Sequence, residues 1–529
     1  MALEAVDPST ITEATYVVQG EVSAETMTSS LRALLPTRLR RIARHRFTIL
    51  DTFDGRVRRA RTRLTRTGAN GTSTIAWQLR GGHQLTARSK QPISFAWDLP
   101  DGPLQQLLAP VVGVRRLLPQ AEAEEQGSVL DVLDERGKTV ARIRIASGRA
   151  RLPTSRNGWQ KLPTVITLTA LRGYADAYAE LVPVIESRPG IEPCAEDLHG
   201  LMLRRLGTDY GAVSSLRLSL SPSVHADEGA RQIHRALLDT LMANEQGVRS
   251  NLDTEFLHDF RVAVRRTRSL LGQIKHVFPP EIVAHFSTEF SWIGQLTGAP
   301  RDIDVLILSL RAHRKEVPTD EMESLTTLLL QAQRTEHRQL VEALNGDRYR
   351  RLLSQWQAFL ERSAPTAPEA RNAGRPLAEV VAARAWRLCR RISRSAEAID
   401  DETSPARLHE VRIDAKKLRY LVDVTPGFYA DSELDVVLAA LKKLQRLLGD
   451  FNDAQVQEAR LLECARTLST APGSAGVTSG IDRLAAQCRQ RAARLRGQVI
   501  DGLQRFRAGD TLSACKRAFK NAYSGDRDR

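Results

Sequence analysis

Cysteine is scarce and scattered in this 529-residue chain. The five residues, Cys194, Cys389, Cys464, Cys488 and Cys515, show neither a CxxC nor a Cys/His ligand spacing. That pattern speaks against a zinc site or a disulfide framework and predicts reduced thiols in a reducing compartment. No apolar run approaches the roughly 18 residues that a membrane-spanning helix needs. The opening MALEAVDPSTITEA lacks the basic and apolar regions of a signal peptide, so a soluble, cytoplasmic protein is expected. Aromatic residues make up only 5% and do not interleave with the basic runs, whereas single-strand nucleic-acid binders add stacking platforms to their cations. There is no P-loop, no G-x-S-x-G, no HExxH and no Gly-rich dinucleotide fingerprint. Acids are the minority charge, 62 against 77 lysines and arginines, for a net charge of +15. Such an excess steers anionic partners without naming the anion.

What is present is a basic stripe that occurs twice. LHDFRVAVRRTRSLL runs from Leu257 to Leu271, and LHEVRIDAKKLRYLV from Leu408 to Val422. Their histidines, His258 and His409, are 151 positions apart, and the same offset carries Gly298 to Gly449, Asp302 to Asp453 and Val305 to Val456. At about 100° per helical residue, offsets of zero, three, seven and ten fall on one narrow stripe. The first stripe is His258, Arg261, Arg265 and Arg268, and the second is His409, Arg412, Lys416 and Arg419; Arg266 and Lys417 stand directly beside them. Cations on successive turns lie about 5.4 Å apart, a spacing that can follow a row of anionic groups. Arginine forks donate paired hydrogen bonds to phosphate oxygens, while lysine supplies a point charge. Asp302 and Asp453 offer the alternative, pairing with stripe arginines inside the protein. The two histidines could contact a ligand or orient a neighbouring arginine.

With 42% hydrophobic and 26% charged residues the chain reads as globular, and its length admits several domains. Residues 1–210 carry alternating segments such as Thr139 to Ile145 and Thr164 to Leu171, with turn signals ANGTS and DERGK between such segments. These predict an antiparallel sheet, with helices around Ala24 to Leu35 and Gly102 to Leu118. A polar linker at 211–223 leads into long amphipathic helices, in two halves at 224–362 and 377–519 separated by a Pro/Ala-rich linker at 363–376. A softer break is expected from Thr470 to Gly480, and a frayed tail at 520–529. Further basic clusters fall at Arg231, His234 and Arg235; at Arg334, His337 and Arg338; at Arg384, Arg387, Arg390 and Arg391; and at Arg489, Arg491 and Arg494.

The segments RVAVRRTRSLL and GAPRDIDVL, with VRIDAKKLRYLV and LLGDFNDAQV in the second half, resemble the CHAD family of conserved-histidine α-helical domains over roughly Val224 to Phe519. The resemblance implies two four-helix bundles related by a pseudo-twofold axis around a basic cavity that binds inorganic polyphosphate. The segment ILDTFDGRVRRARTRL, Ile49 to Leu64, with WQLRGG after it, resembles the CYTH family, the triphosphate tunnel fold, with Arg80 where that family usually has lysine. Active members open with Glu-x-Glu-x-Lys and use its acids to hold a metal. Thr15 to Gly20 does not supply that triad, and Thr167 and Thr169 stand where later carboxylates would be expected. Magnesium sites need carboxylate oxygens, so metal-assisted triphosphatase chemistry is not expected. Arg56, Arg58, Arg59, Arg61 and Arg63, with Arg142 and Arg144, leave either a second anion site or a scaffold.

The expectation is an α+β multidomain protein that binds polyphosphate, possesses neither cofactor nor metal and performs no catalysis. Targeting to polyphosphate granules follows from the resemblance. The alternatives are a CYTH-type triphosphatase or nucleotide cyclase, and a nucleic-acid binder.

Overall fold

The structure, a computed structural model, describes residues 12–20, 22–69, 71–79, 83–155, 158–207, 218, 220–312, 319–362, 368–425, 427–429, 431–468, 475–508 and 510–521. Two compact units divide the chain, Met1–Ser215 and Leu216–Arg529. Arg80 lies outside the described residues, as do most of the 211–223 linker, the end of the C-terminal tail and the Cys464 side chain.

The first unit is an antiparallel sheet. Its strands are β1 (Glu13–Val18), β2 (Thr37–Asp51), β3 (Arg63–Ala69), β4 (Thr72–Gln78), β5 (Gln84–Ser89), β6 (Leu118–Leu133), β7 (Thr139–Arg151), β8 (Gln160–Lys161), β9 (Thr164–Ala170) and β10 (Ile191–Cys194). They pair in the order β10-β1-β9-β7-β6-β2-β3-β4-β5, with β8 beside β7. The helices are α1 (Ala24–Arg32), α2 (Arg56–Arg59), α3 (Pro103–Val112), α4 (Ala175–Glu186) and α5 (Leu198–Arg205).

Alternation decides the two faces. Ile143 and Ile145 of β7 join Ile166 and Leu168 of β9 in a core sealed by α1 and α4. Arg142 and Arg144 point the other way, with Thr167 and Thr169 in register opposite Arg144 and Arg142. On that second face α5 packs Leu198, Leu201 and Met202 against Phe47, Ile49, Ala121 and Ala123. A cavity of about 900 Å³ is lined both from β1 and β10 and from β3 and β4, so the sheet curls around it. Among the described residues the path stays open, with no ladder between β10 and β5.

The second unit is helical throughout, and the duplication is visible in where its helices begin. The first half holds α6 (Ala226–Arg249), α7 (Thr254–Gln273), α8 (Pro280–Leu296), α9 (Gly298–Ala312), α10 (Thr319–Asn345) and α11 (Asp347–Glu361). The second holds α12 (Leu377–Glu397), α13 (Pro405–Asp423), α14 (Asp431–Leu468), α15 (Ala475–Arg507) and α16 (Asp510–Cys515). Helices α6, α7 and α8 start 151 positions before α12, α13 and α14. Four long helical stretches therefore recur, with α8 and α9 fused into the single α14 in the second half. Pro300 sits in the first turn of α9, where its missing N–H is tolerated, whereas it would break a continuous helix.

Capping fixes the start of both stripe helices. Asp253 accepts from the backbone N–H groups of Glu255 and Phe256, and Ser404 accepts from that of Arg407. An apolar cluster joins the halves, Leu306, Leu310 and Leu325 with Leu461, Ile481 and Leu484. The segment Thr470 to Gly480, read from sequence as a break, is helical from Ala475 onward. Its alanines and serines are compatible with a helix that neighbouring helices support.

Candidate functional site

The stripe helices α7 and α13 pack against each other, so the two stripes meet. Arg265 reaches across to α13, where its Nε donates to the Tyr420 hydroxyl at 2.8 Å. Its charge is felt by both Arg412 and Lys416 of the second stripe. Arg261 is surrounded in turn by Arg265, Arg301 and Arg268. Burial, then these cations, pull the Arg261 and Arg412 guanidiniums below their ordinary range. The effect is largest at Lys416, where burial followed by repulsion from Arg265 and Arg412 pushes the ammonium down to about 7. Burial is the first cause at all three, and the neighbouring cations add to it against the opposing pull of Asp302 and Asp453.

The partners of each predicted residue differ. Arg261 donates to the Gly294 carbonyl at 3.1 Å and the Thr297 hydroxyl at 2.9 Å, where α8 ends. Arg268 is exposed, 3.5 Å from the Ser291 hydroxyl. Arg412 approaches Asp453 at 3.8 Å. His409 is exposed, its Nδ1 2.8 Å from the Asn452 side-chain oxygen, beside a cavity of about 210 Å³ that Arg412 also lines. His258 is half-buried on α7. Asp302, equivalent to Asp453, binds Arg460 of the other half at 2.8 Å.

Three of the predicted residues are committed to acids at the edge of this cluster. Arg266 pairs with Asp423 at 3.2 Å and lies over the Tyr420 ring, pinning α7 to α13. Arg419 pairs with the same Asp423, and Lys417 stands 3.6 Å from Asp414. Arg231 and His234, read as basic-face residues, are instead core: Arg231 donates to the Phe359 carbonyl and stacks on Phe359, and His234 packs edge-on to Trp356. Burial drives His234 down to about 3, so it is neutral. Tyr420 and Arg301 joined the site without a sequence signal, since neither lies on the repeated spacing.

Residues 232–462 match the family model for the CHAD domain. The helical unit is a CHAD domain. Beyond it, the chain is 26% identical over 462 residues to the Mycobacterium tuberculosis proteins MT2285 and Rv2226, covering 82% of this chain and 85% of theirs. Among solved structures, the crystal structure of the CHAD domain from the plant Ricinus communis is 27% identical and covers 55% of this chain and 96% of its own, with a TM-score of 0.47. PptA from Streptomyces chartreusis is 17% identical, covering 53% and 100%, with a TM-score of 0.42. In both units, no helix among the described residues is long and apolar enough to cross a membrane.

The sheet unit organises its charges differently. Asp51 accepts from the backbone N–H groups of Thr52, Val57 and Arg58, and Asp54 binds Arg56 at 2.8 Å and Arg59 at 3.2 Å. The DTFD acids thus build the turn that carries α2. Inside the cavity Arg63 pairs with Asp197, the N-cap of α5, and Arg144 with Glu125. Burial raises the Glu125 carboxyl, but the adjacent His199 ring and Arg144 outweigh it and hold it down to about 2. Arg142 pairs with Asp131. The strand read as starting at Thr15 begins at Glu13, whose side chain lines the cavity with Thr15, Thr167 and Thr169. One position of the Glu-x-Glu-x-Lys pattern is therefore filled, and Thr15 and Val17 occupy the other two. Among the described residues no three His, Cys, Asp or Glu side chains are placed to share a metal ion.

Proposed function

We propose that the CHAD domain binds inorganic polyphosphate without transforming it, holding the polymer between the stripes of α7 and α13. The CHAD family is polyphosphate-associated, and the geometry supports the same ligand. The observation that carries the reading is the depressed Lys416 beside Arg265 and Arg412: three cations from two halves crowd together, opposed by Asp453 and, at Arg412, by Tyr420. A linear polyanion supplies the missing counter-charge at the spacing of successive helical turns. On this reading the protein associates with polyphosphate granules in the cytoplasm.

The sheet unit, a CYTH-like tunnel in this reading, acts as a scaffold rather than a triphosphatase. Of the four arginines that line its cavity, Arg63 and Arg144 already hold carboxylates, which reduces the charge left for a triphosphate. Binding of defined-length polyphosphate to the full chain and to two charge-reversed variants, R265E and R412E, tests the proposal. Each variant should lose most of the affinity, at least tenfold, because one charge-assisted contact contributes about 1.5–3 kcal/mol. Unchanged binding in both variants overturns it. Tripolyphosphate incubated with Mg²⁺ or Mn²⁺ should remain intact, and polyphosphate should displace a nucleic acid far better than the reverse.

A further inference from the structure

A second basic pocket lies at the C-terminal end of the stripe helix α7, and the internal symmetry does not account for it. Its volume is about 390 Å³, and it is lined by Lys275 and His276 just past α7, Arg371 and Arg375 in the segment before α12, and Arg384 and Arg387 on α12. No carboxylate is among its lining residues. The repeat offset carries Lys275 to Pro426, and carries Arg384 and Arg387 back to Ile233 and Ala236. The repeated positions therefore do not carry these cations in the other half.

The pocket is assembled rather than incidental. Asn372 binds the segment to the end of α7, its backbone N–H donating to the His276 carbonyl and its side-chain amide to that of Lys275, each at 2.8 Å. His276 adopts a left-handed φ of 57°, which turns the chain at the pocket mouth. The buried Gln273 amide oxygen accepts from Arg384 Nε at 2.8 Å, so a neutral group aims that guanidinium, and the acid that acts on its charge, Asp414, lies outside the pocket lining. Among the described residues, Arg375 is the one of the six basic residues in an ion pair, with Glu379 at 2.9 Å outside the pocket lining. Lys275, Arg371 and Arg387 are exposed and can swing onto a ligand.

We infer that this pocket is a second phosphate site, which takes a dianionic terminal phosphate together with one or two phosphates behind it. A terminal phosphate carries nearly two charges at neutral pH, against one for each internal unit, and so gains most from several cations converging without an acid. Its volume suits a short oligophosphate and not a long folded chain. That chemistry is shared by the end of a polyphosphate and by free short oligophosphates. The inference rests on the polyphosphate reading for its first source only.

The test is calorimetric titration of the full chain with tripolyphosphate and with long polyphosphate. The variants are K275E/R387E, which changes two exposed side chains, and R265E/R412E in the stripes. Thermal melts confirm that both fold. Wild type should bind tripolyphosphate at two sites, and K275E/R387E at one. R265E/R412E should retain the second site while losing binding of a long chain whose ends are chemically blocked. A long chain with chemically blocked ends separates the sources: equal loss of affinity from blocking and from K275E/R387E identifies the chain end, and no effect of blocking identifies the free oligophosphate. Identical tripolyphosphate stoichiometry and affinity in wild type and K275E/R387E overturns the pocket while leaving the stripe reading intact. Binding of the end-blocked long chain that survives R265E/R412E overturns the stripe reading, and the tripolyphosphate result still decides the pocket.

Discussion

Lys416 should take up a proton when polyphosphate binds. In the free protein burial, followed by repulsion from Arg265 and Arg412, pushes its ammonium down to about 7 against an ordinary 10.5, with only Asp453 acting the other way. A phosphate chain laid along the stripes reverses the repulsion and returns the group towards its ordinary value. A lysine titrating near 7 is about one-tenth protonated at pH 8 and about nine-tenths at pH 6. Binding should therefore consume about 0.9 proton at pH 8 and only about 0.1 at pH 6. By the same linkage, affinity should fall close to tenfold per pH unit above about 8. The full shift corresponds to about 5 kcal/mol, an upper limit on what a counter-charge can recover at this one residue. The sign for the unliganded protein is opposite: the folded state binds fewer protons than the unfolded chain between about 7 and 10.5, so this group's contribution to stability rises with pH through that window. Calorimetry at pH 8 in buffers of different ionisation enthalpy reads the proton count. The Lys416→Arg variant keeps the charge without titrating, and subtracting it removes contributions from other groups and from the phosphate ends. Equal proton uptake in wild type and Lys416→Arg would refute the reasoning.

Two further predictions concern the scaffold. Asp304 is buried, accepts from the Gln333 amide, and is raised to about 6 chiefly by burial. Its folded form keeps a proton that the unfolded chain releases between 3.8 and about 6, so its contribution to stability is present below 3.8 and is lost as pH rises through 6. Asp304→Asn should stabilise the protein by about 1–3 kcal/mol at pH 7 and hardly at all at pH 4, read as Tm; a lower Tm at pH 7 would contradict the assignment. On α6, a Cβ at Gly247 would stand 2.1–2.5 Å from three ring atoms of Phe256 on α7. Gly247→Ala should cost about 1–3 kcal/mol in denaturant unfolding while leaving ligand affinity of the folded protein unchanged, and a neutral effect would show the α6–α7 contact to be slack.

The helical unit was legible because a stripe and a 151-residue offset are local and periodic signals. What escaped was anything set by long-range pairing. Arg266 follows Arg265 by one residue, yet a rotation of about 100° turns it from the basic cluster to Asp423 of the other half. Arg231 and His234 share spacing with surface cations, but their helix face is the one covered by Trp356 and Phe359. In the sheet unit, α4 and α5 went unread: Pro183 interrupts the pattern of the first, and the second has only eight residues. The acids that neutralise Arg63 and Arg144 stand 134 and 19 positions away, and only the folded sheet brings them together.

Duplication placed matching arginines at 261 and 412, but the helices beside them are not the same. In the first half Pro300 forces α9 to start anew, and the carbonyl of Gly294 and hydroxyl of Thr297 at the end of α8 face Arg261. These neutral oxygens orient the guanidinium, and a helix C-terminus favours a cation. In the second half the corresponding stretch lies within the continuous α14, whose interior carbonyls are occupied by helical hydrogen bonds. Arg412 turns instead towards Asp453 at 3.8 Å, while the equivalent Asp302 is held by Arg460. Equal residues thus have unequal partners: neutral oxygens hold Arg261, with Asp302 acting on it from a distance, and an acid faces Arg412 directly. On the proposed reading, a polyanion that bridges both walls is sensed, through a proton, at Lys416 of α13.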